Sequence, residues 1–197
     1  MLIVDTKTPP KKIKNIINNY NPKFIFCSKI NYKIFKRQFL IEYSFFDQHL
    51  LKNTNYKKTQ INKNLAILLS TSGSMGSTKF VKLSYQNLSC NTYSILNYLK
   101  LQSNDTAITN LPTSYSYMLS IINTHLEVGG TILVSKLSIV QKEFWNIFNS
   151  QKITSFNGVP YTYEILKKIG LKNINLKYLK YFTQAGGKLD LTILPVK

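Results

Sequence analysis

The chain has 197 residues, 44% of them hydrophobic and 17% charged, with only 8 Gly and 6 Pro, which is enough to bury a self-supporting core and unlike a disordered or fibrous composition. The formal net charge of +18, from 26 basic and 8 acidic residues, raises nucleic acid and anionic membrane surfaces as partners. The basic residues are 25 Lys and a single Arg, Arg37, whereas base readout and bidentate phosphate grips favour the planar guanidinium. With 20 Asn and 22 Ile beside them, the lysines read as codon drift in an AT-rich genome, solvated on the surface, and no specific nucleic-acid recognition is expected. Cys27 and Cys90 form no CxxC or Cys/His cluster, so neither a disulfide framework nor a zinc site is indicated. No basic region followed by a long apolar stretch opens the chain, and Met118 to Val134 is interrupted by His125 and Glu127. A soluble, cytoplasmic protein without a membrane span is expected.

In chain order, Ile13, Ile16, Ile17 and Tyr20 recur at helical spacing after Pro9-Pro10, and Pro22 stops that helix before a strand at Lys23 to Cys27. Residues 29 to 64 mix aromatics and Lys without a decisive period and carry no assignment. Leu65 to Leu69 is a short apolar run of buried-strand type, followed by a polar loop at Ser70 to Thr78 and a second extended segment at Lys79 to Leu83. Ser84 suits the N-cap of a helix with Leu88, Ile95, Leu96 and Leu99 on one face. There follow a strand at 106 to 110, a helix at about 115 to 127, the turn Gly129-Gly130 and a strand at 131 to 134. Ser138 to Gln141 reads as a capping box opening a helix through Phe148. A strand at 153 to 156, a helix at 161 to 168 and a strand at 178 to 183 complete the series. Repeated strand-helix-strand units predict an α/β fold with a largely parallel sheet flanked by helices.

The loop at 70 to 79 carries the most chemistry. Gly73 and Gly76 free the backbone, Thr71, Ser72, Ser74, Ser77 and Thr78 supply hydroxyls, and Lys79 supplies a cation, the composition of a phosphate cradle. A Walker A loop needs four residues between Gly and Gly-Lys and a helix directly after, and neither is present; no GxGxxG occurs either. On composition alone, an ordinary Ser/Gly hairpin loop is the alternative. His49 and His125 are assigned surface or packing roles.

The run Leu65-Ala-Ile-Leu-Leu-Ser-Thr-Ser-Gly-Ser-Met-Gly-Ser-Thr-Lys79, with Ser84-Tyr-Gln-Asn-Leu88 after it, resembles the signature loop and helix start of the adenylate-forming superfamily, the acyl-CoA synthetases and amino-acid adenylating domains. Two further blocks agree in order: Asn110-Leu-Pro-Thr-Ser-Tyr-Ser-Tyr-Met-Leu-Ser120 with Gly129-Gly130, and Phe156-Asn-Gly-Val-Pro160 with Gln184-Ala-Gly-Gly-Lys188. The resemblance implies part of the large N-terminal region of such a ligase, a partial AMP-binding domain over 1 to 197. It also implies ATP-dependent activation of a small carboxylic or amino acid to an acyl adenylate, with Mg2+ accompanying the nucleotide and coenzyme A, or the phosphopantetheine of a carrier protein, as later acceptor.

By the same resemblance, Thr71, Ser72, Gly73, Ser74, Met75, Gly76 and Lys79 hold phosphates, Gly186, Gly187 and Lys188 lie beside the adenine, and Tyr115 lines the substrate carboxylate. The chain departs from the family pattern at Met75 (Thr), Thr78 (Pro), Phe80 (Gly), Tyr115 (often His) and Met118 (Gly). The family's Tyr-Gly-x-Thr-Glu and Thr-Gly-Asp segments and its C-terminal domain with a catalytic Lys have no counterpart, so a truncated product that does not complete adenylation alone is expected. A non-catalytic ATP-binding or interaction remnant is the alternative.

Overall fold

A computed structural model describes residues 1–70, 79–170 and 174–189. The chain divides into two compact units.

The described residues of Val4–Leu65 and Ser70–Val81 form one unit. Helix α1 (Pro10–Tyr20) starts on Pro10 in its first turn, where the missing N–H costs nothing and the fixed φ is already helical. Asn21 ends it in the left-handed region, with φ 37° and its N–H on Ile17 O at 2.8 Å. Strand β2 (Phe24–Ser28) is followed by a short 3-10 turn (Lys29–Asn31) and the one-turn helix α2 (Tyr32–Phe35). Strands β3 (Phe39–Phe45) and β4 (Gln48–Asn53) then make a hairpin, and the sheet order β2-β4-β3 is antiparallel throughout. Ile17, Phe35, Phe39 and Leu51 form its core. The expectation of a strand at Lys23 to Cys27 holds to within a residue, but this strand joins an antiparallel sheet.

The second unit comprises Met1–Ile3, Ala66–Leu69 and the described residues from Lys82 onward. Strand β1 (Leu2–Ile3) runs parallel to β5 (Leu65–Ser70) in the order β1-β5-β6, where β6 is Phe80–Ser84. Helix α3 (Tyr85–Leu99) begins with a reciprocal cap: Asn87 N–H donates to Ser84 Oγ at 3.1 Å, and Ser84 N–H donates to Asn87 Oδ1 at 3.0 Å, so two orphan donors of the first turn are satisfied. Beyond it, β7 (Thr106–Thr109), α4 (Ser116–Glu127), β8 (Thr131–Val134), α5 (Lys142–Ser150), β9 (Ser155–Gly158), α6 (Pro160–Ile169) and β10 (Tyr181–Gln184) alternate.

The four strands pair in the order β10-β9-β7-β8, all parallel. Their sequences are short and rich in Ile, Thr, Val and Phe, as strands covered on both faces tend to be. Phe144, Phe148, Phe156 and Tyr163 fill the core beside β9 together with Ile108, Ile153 and Leu166. Asp105, just before β7, is 1% exposed and receives Lys180 Nζ at 2.6 Å and the Gln102 N–H at 2.9 Å. Burial alone raises its pKa, and these donors outweigh it, holding the carboxyl below the ordinary value.

One expectation is corrected in this unit. Helix α5 starts at Lys142 with Gln141 as its N-cap. Ser138 N–H does donate to Gln141 Oε1 at 2.7 Å, but Gln141 N–H donates back to Ser138 O at 3.0 Å. Ser138 to Gln141 is therefore a self-bonded turn ahead of the helix, with the polar pair spent on closing it.

Candidate functional site

Parallel strands aim their carboxyl ends the same way, and in open α/β sheets ligands bind in the crevice beyond those ends. In the second unit a cavity of about 640 Å³ lies there. Leu88, Asn91 and Ile95 of α3 form one wall, Tyr115 and Tyr117 stand at the start of α4, and Asn157 of β9 and Thr183 of β10 lie at the strand ends, continuing to Gly186. Helices α3 and α4 pack against each other, with Ser120 Oγ on Asn91 Oδ1 at 3.1 Å, and the cavity opens between their facing surfaces and the strand ends.

A hydrogen-bonded chain crosses the strand ends. Thr183 Oγ1 donates to Asn157 Oδ1 at 2.5 Å, so Tyr117 Oη, 2.6 Å from Thr183 Oγ1, is the donor in that contact. Tyr163 Oη donates to Thr183 O at 2.5 Å. Burial pushes the Tyr117 phenol up to about 12, against the Thr183 contact, and it raises Tyr163 further still; both remain protonated donors. At the far wall His125 is 2% exposed. Its Nδ1 lies 2.9 Å from Ile121 O, which only accepts, so the proton sits on Nδ1 and leaves Nε2 to accept from Ser155 Oγ at 3.4 Å. Burial lowers the imidazole pKa, against the opposing pull of the Ile121 carbonyl and Asp105, so the ring is neutral. Among the described residues that line the cavity there is no Lys, Arg, Asp or Glu.

Gly186 turns the chain out of β10 with φ +95°, a conformation open to glycine and costly for other residues. A Cβ there would collide with the Tyr115 hydroxyl and lie 3.7 Å from Val159. Gly187 passes Pro160, whose Cγ would stand 3.3 Å from an added Cβ, and Gln184 Nε2 donates to Gly187 O at 2.6 Å.

Of the residues expected from the sequence, Tyr115 and Gly186 thus meet in one wall of the cavity. Gly187 and Lys188 follow directly, both exposed. Lys79 is exposed just ahead of β6 and belongs to the other unit. Thr71, Ser72, Gly73, Ser74, Met75 and Gly76 lie outside the described residues. Reading by motif gave no role to Asn157, Thr183 or Tyr117; for Asn157 and Thr183 the signal available was a polar side chain in a strand of the central sheet, where each demands a partner.

A parallel sheet with a crevice at its strand ends, walled by a helix pair and a glycine turn, defines a ligand-binding α/β domain. The sequence model of the AMP-binding enzyme family matches residues 1–194: the chain belongs to that family, the adenylate-forming superfamily its motifs resemble. No match is found among curated proteins.

Solved structures share the fold. An ATP-bound chimera of RpMatB and BxBclM superposes with a TM-score of 0.76 at 17% identity, over 98% of this chain and 41% of that one. O-succinylbenzoate coenzyme A synthetase (MenE) from Bacillus subtilis, in complex with AMP, gives 0.58 at 21% identity, over 66% and 26%. VinN in complex with L-aspartate gives 0.59 at 18%, over 70% and 35%. This chain therefore spans between about a quarter and two fifths of the length of these structures. Among the described residues no helix is long and apolar enough to cross a membrane.

Proposed function

We propose that this chain forms part of an ATP-dependent, carboxylate-activating site. In that reaction a carboxylate oxygen of a small carboxylic or amino acid attacks the α-phosphorus of ATP. A C–O–P linkage forms, the bond to the β-phosphate oxygen breaks, and pyrophosphate leaves with its electron pair. The acyl adenylate then passes its acyl group to a thiol, that of coenzyme A or of a carrier protein's phosphopantetheine, releasing AMP.

The reading assigns Thr71 to Gly76 and Lys79 to the β- and γ-phosphates, where hydroxyls, backbone N–H groups and one cation offset charge moving onto the leaving group. Mg2+ bound with the triphosphate would add to the charge neutralisation that these residues supply. Gly186, Gly187 and Lys188 pass beside the adenine, and Tyr115 faces the substrate carboxylate. The observation that carries this is the meeting of Tyr115 with Gly186 in the wall of a cavity at the ends of β9 and β10: the residue assigned to the acid and the turn assigned to the nucleotide are neighbours, as an attack of one ligand on the other requires.

Calorimetry of MgATP binding to the chain and to Lys79→Ala tests the assignment. Removing one charge-assisted phosphate contact is expected to weaken binding by about tenfold or more; unchanged affinity would make the loop a structural connection only. Met75 and Thr78 stand where the family pattern has Thr and Pro, which favours a second reading, nucleotide binding without turnover. Acid-dependent exchange of pyrophosphate into ATP separates the two, since only the first supports it.

A further inference from the structure

We propose that the outer face of the β2-β4-β3 sheet, with the β3–β4 hairpin tip at its end, docks on an anionic lipid bilayer. Phe45 and Phe46 enter the headgroup region, and the lysines of the same unit meet the lipid phosphates. The surface lies in the stretch Val4–Leu65 and does not depend on the acid and nucleotide site.

Register decides which side chains share the outer face. Phe24, Lys52 and Leu40 stand opposite one another across the three strands, then Phe26, Leu50 and Tyr43, then Ser28, Gln48 and Phe45. Strand alternation puts these rows on one side of the sheet. The other side carries Leu51, which packs with Ile17 and Phe35 of the helices. The outer side is left bare, with Phe26, Leu40, Tyr43 and Phe45 all more than half exposed. At about 150–250 Å² per aromatic ring, this face and the tip expose on the order of 500–800 Å² of apolar surface, at or above the largest patch of an ordinary monomer.

The tip gives a second, independent observation. Phe46 is 82% exposed and holds φ +48°, a conformation that Gly or Asn adopts cheaply and a large aromatic does not. Its ring centroid lies 4.4 Å from that of Phe45. Lys29 N–H donates to Asp47 O at 2.8 Å, which seats the exposed Ile30 beside the turn. A turn that keeps a strained, exposed Phe forgoes stability, and strain of that kind marks a place where the side chain serves a ligand.

Charge names the occupant. Val4–Leu65 carries 12 Lys and Arg37, every one exposed, against Asp5, Glu42 and Asp47, so half of the chain's 26 basic residues fall in less than a third of its length. Lys29 and Lys33 directly follow β2 at the tip end, and Lys23 Nζ lies 5.2 Å from the centre of the Phe24 ring. A second copy would set one cationic surface against another. An anionic leaflet supplies the opposite sign, with an apolar layer just beneath it. Aromatic rings at that boundary, with Lys stems reaching back to the phosphates, suit both layers.

The test is co-sedimentation of the full 197-residue chain with vesicles of phosphatidylcholine alone and of phosphatidylcholine mixed with phosphatidylglycerol. At about 0.1 M salt the mixed vesicles are expected to bind at least about tenfold more tightly than the neutral ones, and most of that gain is expected to be lost at about 0.5 M. Phe45→Ser combined with Phe46→Ser is expected to weaken binding to the mixed vesicles by about tenfold or more. Phe46→Asn is expected to weaken it too, while leaving the urea midpoint unchanged or raised, because Asn tolerates the positive φ. Weaker binding by that variant is then not a loss of fold, and it decides the matter if the double variant does not fold. Equal binding to both vesicles, or binding that neither variant weakens, overturns the proposal, the latter by leaving scattered lysines as the whole attraction. A chain shown by circular dichroism to be folded that sediments with neither vesicle overturns it as well. A dimer in light scattering that Phe46→Asn dissociates would assign the face to a second copy instead.

Discussion

Replacing Gly186 with Ala separates two kinds of cost that the turn after β10 combines. The backbone cost comes from φ +95°, which holds a residue with a Cβ in a sparsely populated region at about 1–3 kcal/mol; Ala lowers the entropy of the unfolded chain and returns about 0.4–1 kcal/mol only where φ suits it. The steric cost comes from the Tyr115 hydroxyl, with which the new methyl would collide. That hydroxyl is the far end of a half-buried side chain, so the ring is expected to swing into the cavity and the steric part to stay near 1 kcal/mol. A total loss of about 2–3 kcal/mol is predicted, read as a lower urea midpoint at unchanged m. In a Tyr115→Ala background the collision disappears and only the backbone part remains. The cost of Gly186→Ala should therefore fall by about 1 kcal/mol there, above the 0.3–0.5 kcal/mol within which independent sites add. Equal costs in both backgrounds would show that Tyr115 and Gly186 do not touch, and no cost in either would show that residue 186 does not hold a positive φ.

Lys180→Met leaves the buried Asp105 carboxylate with its N–H donor but without its ammonium; because Lys180 is about half exposed, a loss of about 1–3 kcal/mol is predicted from chemical denaturation, and no loss would place the pair among neutral surface contacts. His125 has a folded pKa below its ordinary 6.5, so its protonation favours the unfolded chain: stability is full above pH 6.5 and is lost as pH falls through the folded value. Asp105, held below 3.8, adds a loss of the same sign only at lower pH. Thermal melts should therefore fall as pH drops below about 6.5, and His125→Gln should flatten that slope; an unaltered slope would contradict a buried neutral imidazole. Ser84→Ala removes the acceptor for Asn87 N–H and should cost about 1 kcal/mol, measurable by the same denaturation; no change would mean that water replaces the cap.

Elements whose residues declare themselves locally were legible from the sequence. Leu65 to Leu69 is apolar throughout and became β5, Ser84 and Asn87 wrote the start of α3, and Pro10 marked the first turn of α1. The β3–β4 hairpin was not legible because its turn is Phe46-Asp47, with Phe46 at φ +48°, where the usual hairpin signal is Asn-Gly or Asp-Gly. Its outer face adds to the difficulty, since Leu40, Tyr43 and Phe45 are exposed and blur the alternation that marks a half-buried strand. In the cavity, Tyr115 and Gly186 were reached through motif resemblance. Asn157, Thr183 and Tyr117 were not, because their significance lies in which atoms are left unpaired once β9, β10 and α4 converge, and no linear pattern records that.

In the proposed site, nucleotide and acid are held side by side against the turn at Gly186-Gly187. The most direct measurement is a titration of the isotopically labelled chain with AMP, followed by amide chemical shifts in two-dimensional NMR and repeated in the presence of each of a panel of small carboxylic and amino acids. AMP-dependent shifts are predicted at Gly186, Gly187 and Lys188, with further shifts at Tyr115, Asn157 and Thr183 when an acid that binds is added. Saturable AMP binding that leaves Gly186 and Gly187 unmoved, or a folded chain with no AMP-dependent shift at millimolar nucleotide, would contradict it.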